Sequence, residues 1–178
     1  MKVRAQAGEI ELAYLDEAGF AQVHPNRSAW TPCGQQHCID APRGQRLNVM
    51  AAWLSSGEIV PAQYWEHTNS DVFVGFLSKL QQQVSKPLVV ILDNASIHKA
   101  KAIQAALKVL EQRGVTLYFL PTYSPELNRI ETLWRMMKHR WLDACYRTKE
   151  KLEQDIQHIF DNFGRLYTLN FFEKTSCE

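Results

Sequence analysis

Cysteine is scarce in this chain. Four in 178 residues, Cys33, Cys38, Cys145 and Cys177, are too few and too scattered to staple a small secreted fold. No secretory leader precedes them, since the opening Met1-Lys2-Val3-Arg4-Ala5-Gln6 has no apolar stretch of the needed length. No apolar run approaches the roughly 20 residues of a membrane span, so no membrane partner is expected. Excess charge is missing too: 20 Lys and Arg against 19 Asp and Glu leave a net +1. The average does not advertise a nucleic-acid binder, and any electropositive surface must be local. Together these absences point to a protein of the reducing cytosol.

What is present is ordinary for a globular protein. With 46% hydrophobic and 22% charged residues, wholesale disorder is excluded. The length suits one domain, 1–178, large enough to bury a core. Cys33, His37 and Cys38, with His24 upstream, bring soft ligands together, but the spacing has no second paired half and matches no standard zinc finger. They read as loop residues.

The two halves of the chain differ in rhythm. Residues 10–16 form an apolar strand pattern, with Asp16-Glu17-Ala18-Gly19 as its exit turn and a second strand over Phe20–His24. Pro25–Arg43 is a loop rich in Pro, Gly, Asn and Gln. Leu47–Leu54 and Glu58–Trp65 flank a glycine-bearing turn and predict a hairpin, giving up to four antiparallel strands. After that, helix and strand alternate. A helix is predicted over Asp71–Val84 with Ser70 as N-cap, a buried strand over Leu88–Leu92, and a helix over Ile97–Gln112 that stops at Gly114. A strand follows at Val115–Leu120. Two helices then close the chain, one from Ser124 or Asn128 to Tyr146, the other over Lys149–Phe163. The first of these has one apolar stripe of Ile130, Leu133, Trp134, Met137 and Trp141. The sum is an α/β protein with a mixed sheet, an antiparallel meander followed by parallel strands, and helices on both faces.

Three acids stand where such a fold places ligands. Asp16 and Asp93 close apolar strand patterns, and Glu131 sits just inside a helix pattern. Oxygen ligands gathered from strand ends and a helix start suit hard divalent cations, and a two-metal site can drive phosphodiester chemistry. Each acid also has a plainer reading. Asp93 could cap the following helix, Asp16 could initiate a turn, and Glu131 with Asn128 fits a capping box. The basic residues Arg129, Arg135, Lys138, His139 and Arg140 mostly lie off the apolar stripe, either as DNA-phosphate contacts or as a solvated face.

Three blocks decide between these readings: Asp16-Glu17-Ala18-Gly19-Phe20, Leu92-Asp93-Asn94-Ala95-Ser96-Ile97-His98-Lys99, and the run from Leu120-Pro121-Thr122-Tyr123-Ser124-Pro125-Glu126-Leu127-Asn128 to Arg129-Ile130-Glu131-Thr132-Leu133-Trp134. In this order they resemble the catalytic core of the IS630/Tc1/mariner superfamily of DDE transposases, most closely its bacterial IS630-type branch. The 37 residues between Asp93 and Glu131 (positions 94–130) match the family's mid-thirties spacing. The resemblance runs from about Glu9 to Trp141. It implies a ribonuclease H-like fold, with Asp16, Asp93 and Glu131 as the metal-binding triad and Asn94, His98 and Asn128 in support. It also implies two Mg²⁺ ions, with Mn²⁺ as a substitute, nicking at transposon ends, and attack of the freed 3′-hydroxyl on target DNA. The expected partners are transposon ends, target DNA and a second copy of the chain, and the place of action is the bacterial cytoplasm, on the nucleoid when bound to DNA.

Two departures from the family stand out. Arg129 replaces the usual Pro of the Asn-Pro-Ile-Glu segment, at a position in the first helical turn where Arg is tolerated. The catalytic strand begins within about ten residues of Met1, so the chain is expected to be the catalytic half alone, without the N-terminal helix-turn-helix region of full-length relatives, which a separate partner would then supply. Two other functions share the fold: a catalytically silent remnant that binds DNA or a partner, and a ribonuclease H-like nuclease or resolvase. The Ser124-Pro125-Glu126-Leu127-Asn128 block, through the resemblance, argues against the second of these.

Overall fold

The first strand, β1, runs unbroken from Glu11 to Ala21 in the computed structural model, which describes residues 1–23, 30–35, 44–94, 104–122 and 124–171. The expected exit turn at Asp16–Gly19 does not form. Nine consecutive pairs with β2 (Arg46–Leu54), from Ala13↔Leu54 to Ala21↔Arg46, hold the backbone extended through it. Long-range pairing overrides the local turn preference. The predicted strand at Phe20–His24 is therefore the end of β1, and His24 lies outside the described residues. β2 turns into β3 (Ile59–Tyr64), antiparallel, through a tight turn where Gly57 has φ +97°. That turn is tied to β1. Buried Glu11 accepts hydrogen bonds from Ser55 Oγ at 2.6 Å and Ser56 N–H at 2.8 Å. The meander has three strands rather than four.

β4 (Leu88–Leu92) and β5 (Val115–Phe119) complete the sheet, both parallel to β1, in the order β3-β2-β1-β4-β5. Helix α2 (Ser70–Gln83) begins one residue earlier in its capping than expected, because Asn69 Oδ1 accepts from the N–H groups of Asp71 and Val72, both at 3.0 Å. Helix α3 is described over Gln104–Gln112, and its predicted start at Ser96–Ile97 falls outside the described residues. A short helix that the sequence reading did not signal, α1 (Lys2–Gln6), precedes β1.

Helix α4 (Ile130–Met136) follows a 3₁₀ turn at Pro125–Leu127 and continues as a π-helical turn over Met137–Trp141. Leu142 N–H donates to Met137 O at 3.1 Å, five residues back, and the helix ends there instead of at Tyr146. Helix α5 (Lys149–Asp161) starts on Thr148, whose hydroxyl accepts from Lys151 N–H.

Each sheet face buries its own core. Leu12, Tyr14, Ala18 and Phe20 of β1 face α4 and α5, meeting Ile130, Leu133, Trp134, Met137 and Ile156. Ala13 and Leu15 face α2 and α3, meeting Phe73, Leu77, Leu80 and Leu110. Fully burying side chains of this size contributes about 1.5–3 kcal/mol each. Among the described residues no helix is long and apolar enough to cross a membrane.

Candidate active site

The register of β1 against β4 brings two of the acids together. Parallel pairing runs from Glu11↔Leu88 to Tyr14↔Ile91, and two residues further along each chain the same register sets Asp16 beside Asp93. Tyr14 and Ile91 both belong to the α4-side core, so the period-two alternation points Asp16 and Asp93 to that side as well. Asp16 is thus not at the end of its strand, as the sequence suggested. It is at the end of the strand's parallel partner. From there onward β1 has β2 on one side and an opening on the other, the crevice that strand ends make in such sheets.

Helix α4 supplies the third acid. Its buried stripe of Ile130, Leu133 and Trp134 fixes the helix against β1, and Trp134 Nε1–H donates to Asp16 Oδ2 at 3.0 Å. Glu131, on the first turn, is exposed toward the same cleft. The capping box expected of Asn128 and Glu131 is not formed. The Asn128 side chain, 4% exposed, donates from Nδ2 to Leu15 O at 3.1 Å, and its Oδ1 has no hydrogen-bond partner. Asn128 pins the start of α4 to the residue before Asp16, and the Glu131 carboxylate is not used as a cap. Opposite, the Asn94 side-chain amide donates to Leu120 O and joins the end of β4 to the end of β5.

Asp16, Asp93, Asn94, Asn128 and Glu131 line one cleft of about 330 Å³, walled by Leu120, Pro121, Thr122, Ser124 and Pro125. Burial first, and then the nearby Glu131 and Asp93 carboxylates, push the Asp16 carboxyl up to about 7 from its ordinary 3.8, although Glu17 N–H and Trp134 favour its charged form. A bound cation would relieve that cost, and the donor set, carboxylate and amide oxygens, suits Mg²⁺ or Mn²⁺. Among the described residues no three acidic, His or Cys side chains are already gathered round a single point; the acids line the cleft without closing on one centre.

The basic candidates are dispersed. Lys138 is half-buried with Nζ 5.3 Å from the Phe20 ring centre, near enough to Glu131 and Asp16 to feel both. Arg135 lines a neighbouring cleft with Glu131 and Thr132. Arg129 is half-buried close to the Tyr14 phenol. His139 and Arg140 are exposed at the end of the π turn. His98 lies outside the described residues, as do His37 and Cys38 of the soft-ligand group, whose Cys33 is exposed. Sequence reasoning missed the role of Trp134, taken only as part of the apolar stripe. Its position three residues after Glu131 on the same helix face was the available signal.

The mixed sheet flanked by helices is a ribonuclease H-like fold, and the acid-lined cleft lies at its strand ends. Residues 11–153 match the family described as DDE superfamily endonuclease, and the chain belongs to that family. The 39 kDa protein of insertion element IS630 from Shigella sonnei is 29% identical over 135 residues, covering 74% of this chain and 38% of that protein. Protein y4pE/y4sA of Sinorhizobium fredii is 44% identical over 54 residues, 30% of this chain and 36% of its own length. The chain therefore spans well under half of these relatives. Among solved structures, the Mos1 strand transfer complex superposes with a TM-score of 0.66 at 20% identity, covering 90% of this chain and 49% of that one. The Mos1 mariner paired-end complex with Mn gives 0.69 at 18%, covering 90% and 51%. These likenesses bear out the fold, and with the family match they bear out the IS630/Tc1/mariner DDE reading of the three motif blocks.

Proposed function

We propose that the chain is the catalytic domain of an IS630-type transposase, cutting DNA strands at transposon ends and joining the freed 3′-hydroxyl to target DNA. The observation that carries this is the convergence of Asp16, Asp93 and Glu131 from two strands and a helix on one cleft. In this reading the three carboxylates hold two Mg²⁺ ions, with Mn²⁺ as a substitute. The metals supply an activated water or 3′-hydroxyl and charge stabilisation for the leaving oxygen. The chain's own part is to orient. Trp134 holds one Asp16 oxygen, Asn128 fixes where α4 starts, and Asn94 fixes the opposite wall. Supporting parallels are the Mos1 structures, described as paired-end complexes, one with Mg and one with Mn. They support DNA as substrate, a divalent metal, and two copies acting on two ends.

The test is Mg²⁺- or Mn²⁺-dependent nicking of duplex DNA by the purified chain, with Asp93→Asn beside it. Metal-dependent cuts that vanish in the variant are the expected result. Metal binding at the carboxylates without cutting would point to a site that cuts only with a DNA-binding partner. Absence of metal binding would leave only a silent DNA- or partner-binding remnant.

A further inference from the structure

Beyond Asp16, β1 forms a second cleft of about 310 Å³, with an apolar wall of Phe20 and Leu142 and three cations at its edge. One cation is already neutralised. Arg147 is buried, its Nε lies 2.6 Å from Asp155 Oδ2, and its Nη1 donates to Asp143 O at 2.9 Å. The other two are Arg46, from the start of β2, and Lys138, from the π turn after α4. They feel one another. Burial and then the Arg46 charge lower the Lys138 pKa, while Glu131 and Asp16, on the acid side, raise it. Lys138 is thus in electrostatic reach of both the acid cleft and Arg46.

Arg46 occupies space that only glycine leaves. Its guanidinium group lies across Gly19 on the neighbouring strand, where an added Cβ would fall 1.3 Å from Nε and 2.0 Å from Cζ. Gly19 is not among the positive-φ glycines, so its backbone needs no glycine. The side chain of Arg46 does.

We propose that Arg46 and Lys138 form a clamp for a DNA backbone phosphate flanking the one to be cut, with Gly19 leaving the room that Arg46 fills. This rests on the reading of the chain as a DNA-cutting domain. Paired cations on an apolar wall fit a phosphate and its sugar, and the electrostatic reach of Lys138 to Glu131 and Asp16 puts that phosphate near the acid cleft.

The experiment is fluorescence anisotropy of a labelled duplex of arbitrary sequence, without divalent metal, over a series of salt concentrations. Arg46→Gln and Lys138→Gln should each weaken binding and reduce the slope of log affinity against log salt by about 1. Gly19→Ala should weaken binding as Arg46→Gln does, although it removes no charge, because only the mobile end of the Arg46 side chain must move. Lys79→Gln, an exposed lysine of α2 that donates to Pro61 O, should leave the slope unchanged. Wild-type binding with unaltered slopes in Arg46→Gln and Gly19→Ala, or an equal loss in Lys79→Gln, would overturn the clamp alone. No binding of DNA by the wild-type chain at low salt would overturn the parent reading and the clamp with it.

Discussion

The two halves of β1 have the same backbone and opposite duties. From Glu11 to Leu15 all five residues are buried, with β4 paired along Glu11–Tyr14 and β2 from Ala13 onward. From Asp16 to Ala21 it keeps β2 but has no β4 pair, and burial becomes intermittent. Loss of one neighbour turns a core strand into the wall of a cleft. A carboxylate five residues earlier, that of Glu11, is buried and tied to the β2–β3 turn through Ser55 and Ser56. At Asp16 it is partly buried, hydrogen-bonded by one indole and crowded by two other acids. In the proposed reading stability and chemistry are divided along one strand, with the boundary set by the length of β4.

That division can be broken from either side. The largest effect is expected in the open half: Asp16→Asn, Asp93→Asn or Glu131→Gln should lower metal-dependent strand cleavage by on the order of 10³-fold or more, with the circular dichroism spectrum unchanged. Cleavage near the wild-type rate in any one of them removes that residue from the metal site. In the closed half, Leu12→Ala should cost about 2–5 kcal/mol in urea unfolding, since Leu12 is fully buried, while the folded fraction keeps its cleavage rate. A rate loss exceeding the loss of folded protein would show that the halves are not separate.

The Asp16 carboxyl sharpens the comparison through pH. Its folded-state pKa of about 7 exceeds the ordinary 3.8, so the folded chain holds this proton more tightly than the unfolded one. The stability it gives is complete below about pH 4 and lost as pH rises to about 7, up to about 4 kcal/mol by linkage. Metal-free protein should therefore melt at a higher temperature at pH 5 than at pH 8. Asp16→Asn should flatten that difference and stabilise the metal-free fold at pH 8. A wild-type melting curve insensitive to pH over this range would contradict the buried-acid picture. The smallest effect is expected at Asn128→Ala, which loses the amide donated to Leu15 O. It should cost about 1–3 kcal/mol in stability and also slow cleavage, because Glu131 is no longer held in register with Asp16. Stability loss with an unchanged rate would make Asn128 a fold residue only.

Much of this was legible from residue patterns. The run Leu88–Leu92 gave β4 and therefore Asp93 at its end, and the stripe Ile130, Leu133, Trp134 gave the face of α4 that turns toward the sheet. What failed did so for a common reason. Asp16–Gly19 has the local chemistry of a turn, and Asn128 with Glu131 that of a capping box, but both segments form long-range hydrogen bonds instead. One is paired residue by residue with β2, and the other is anchored to Leu15 O. Arg46 carried no signal at all, since its partner Gly19 lies 27 positions away in sequence and becomes a neighbour only through antiparallel pairing.

The sequence by itself determined the alternation of strands and helices, the three acids and their order, because apolar periodicity and residue chemistry are local properties. The tertiary structure decided which acids meet. Register between parallel strands sets Asp16 level with Asp93, and packing of one indole and one buried amide aims Glu131 at the same cleft. Those are relations between distant segments, fixed by hydrogen-bond ladders and core packing that no single segment contains.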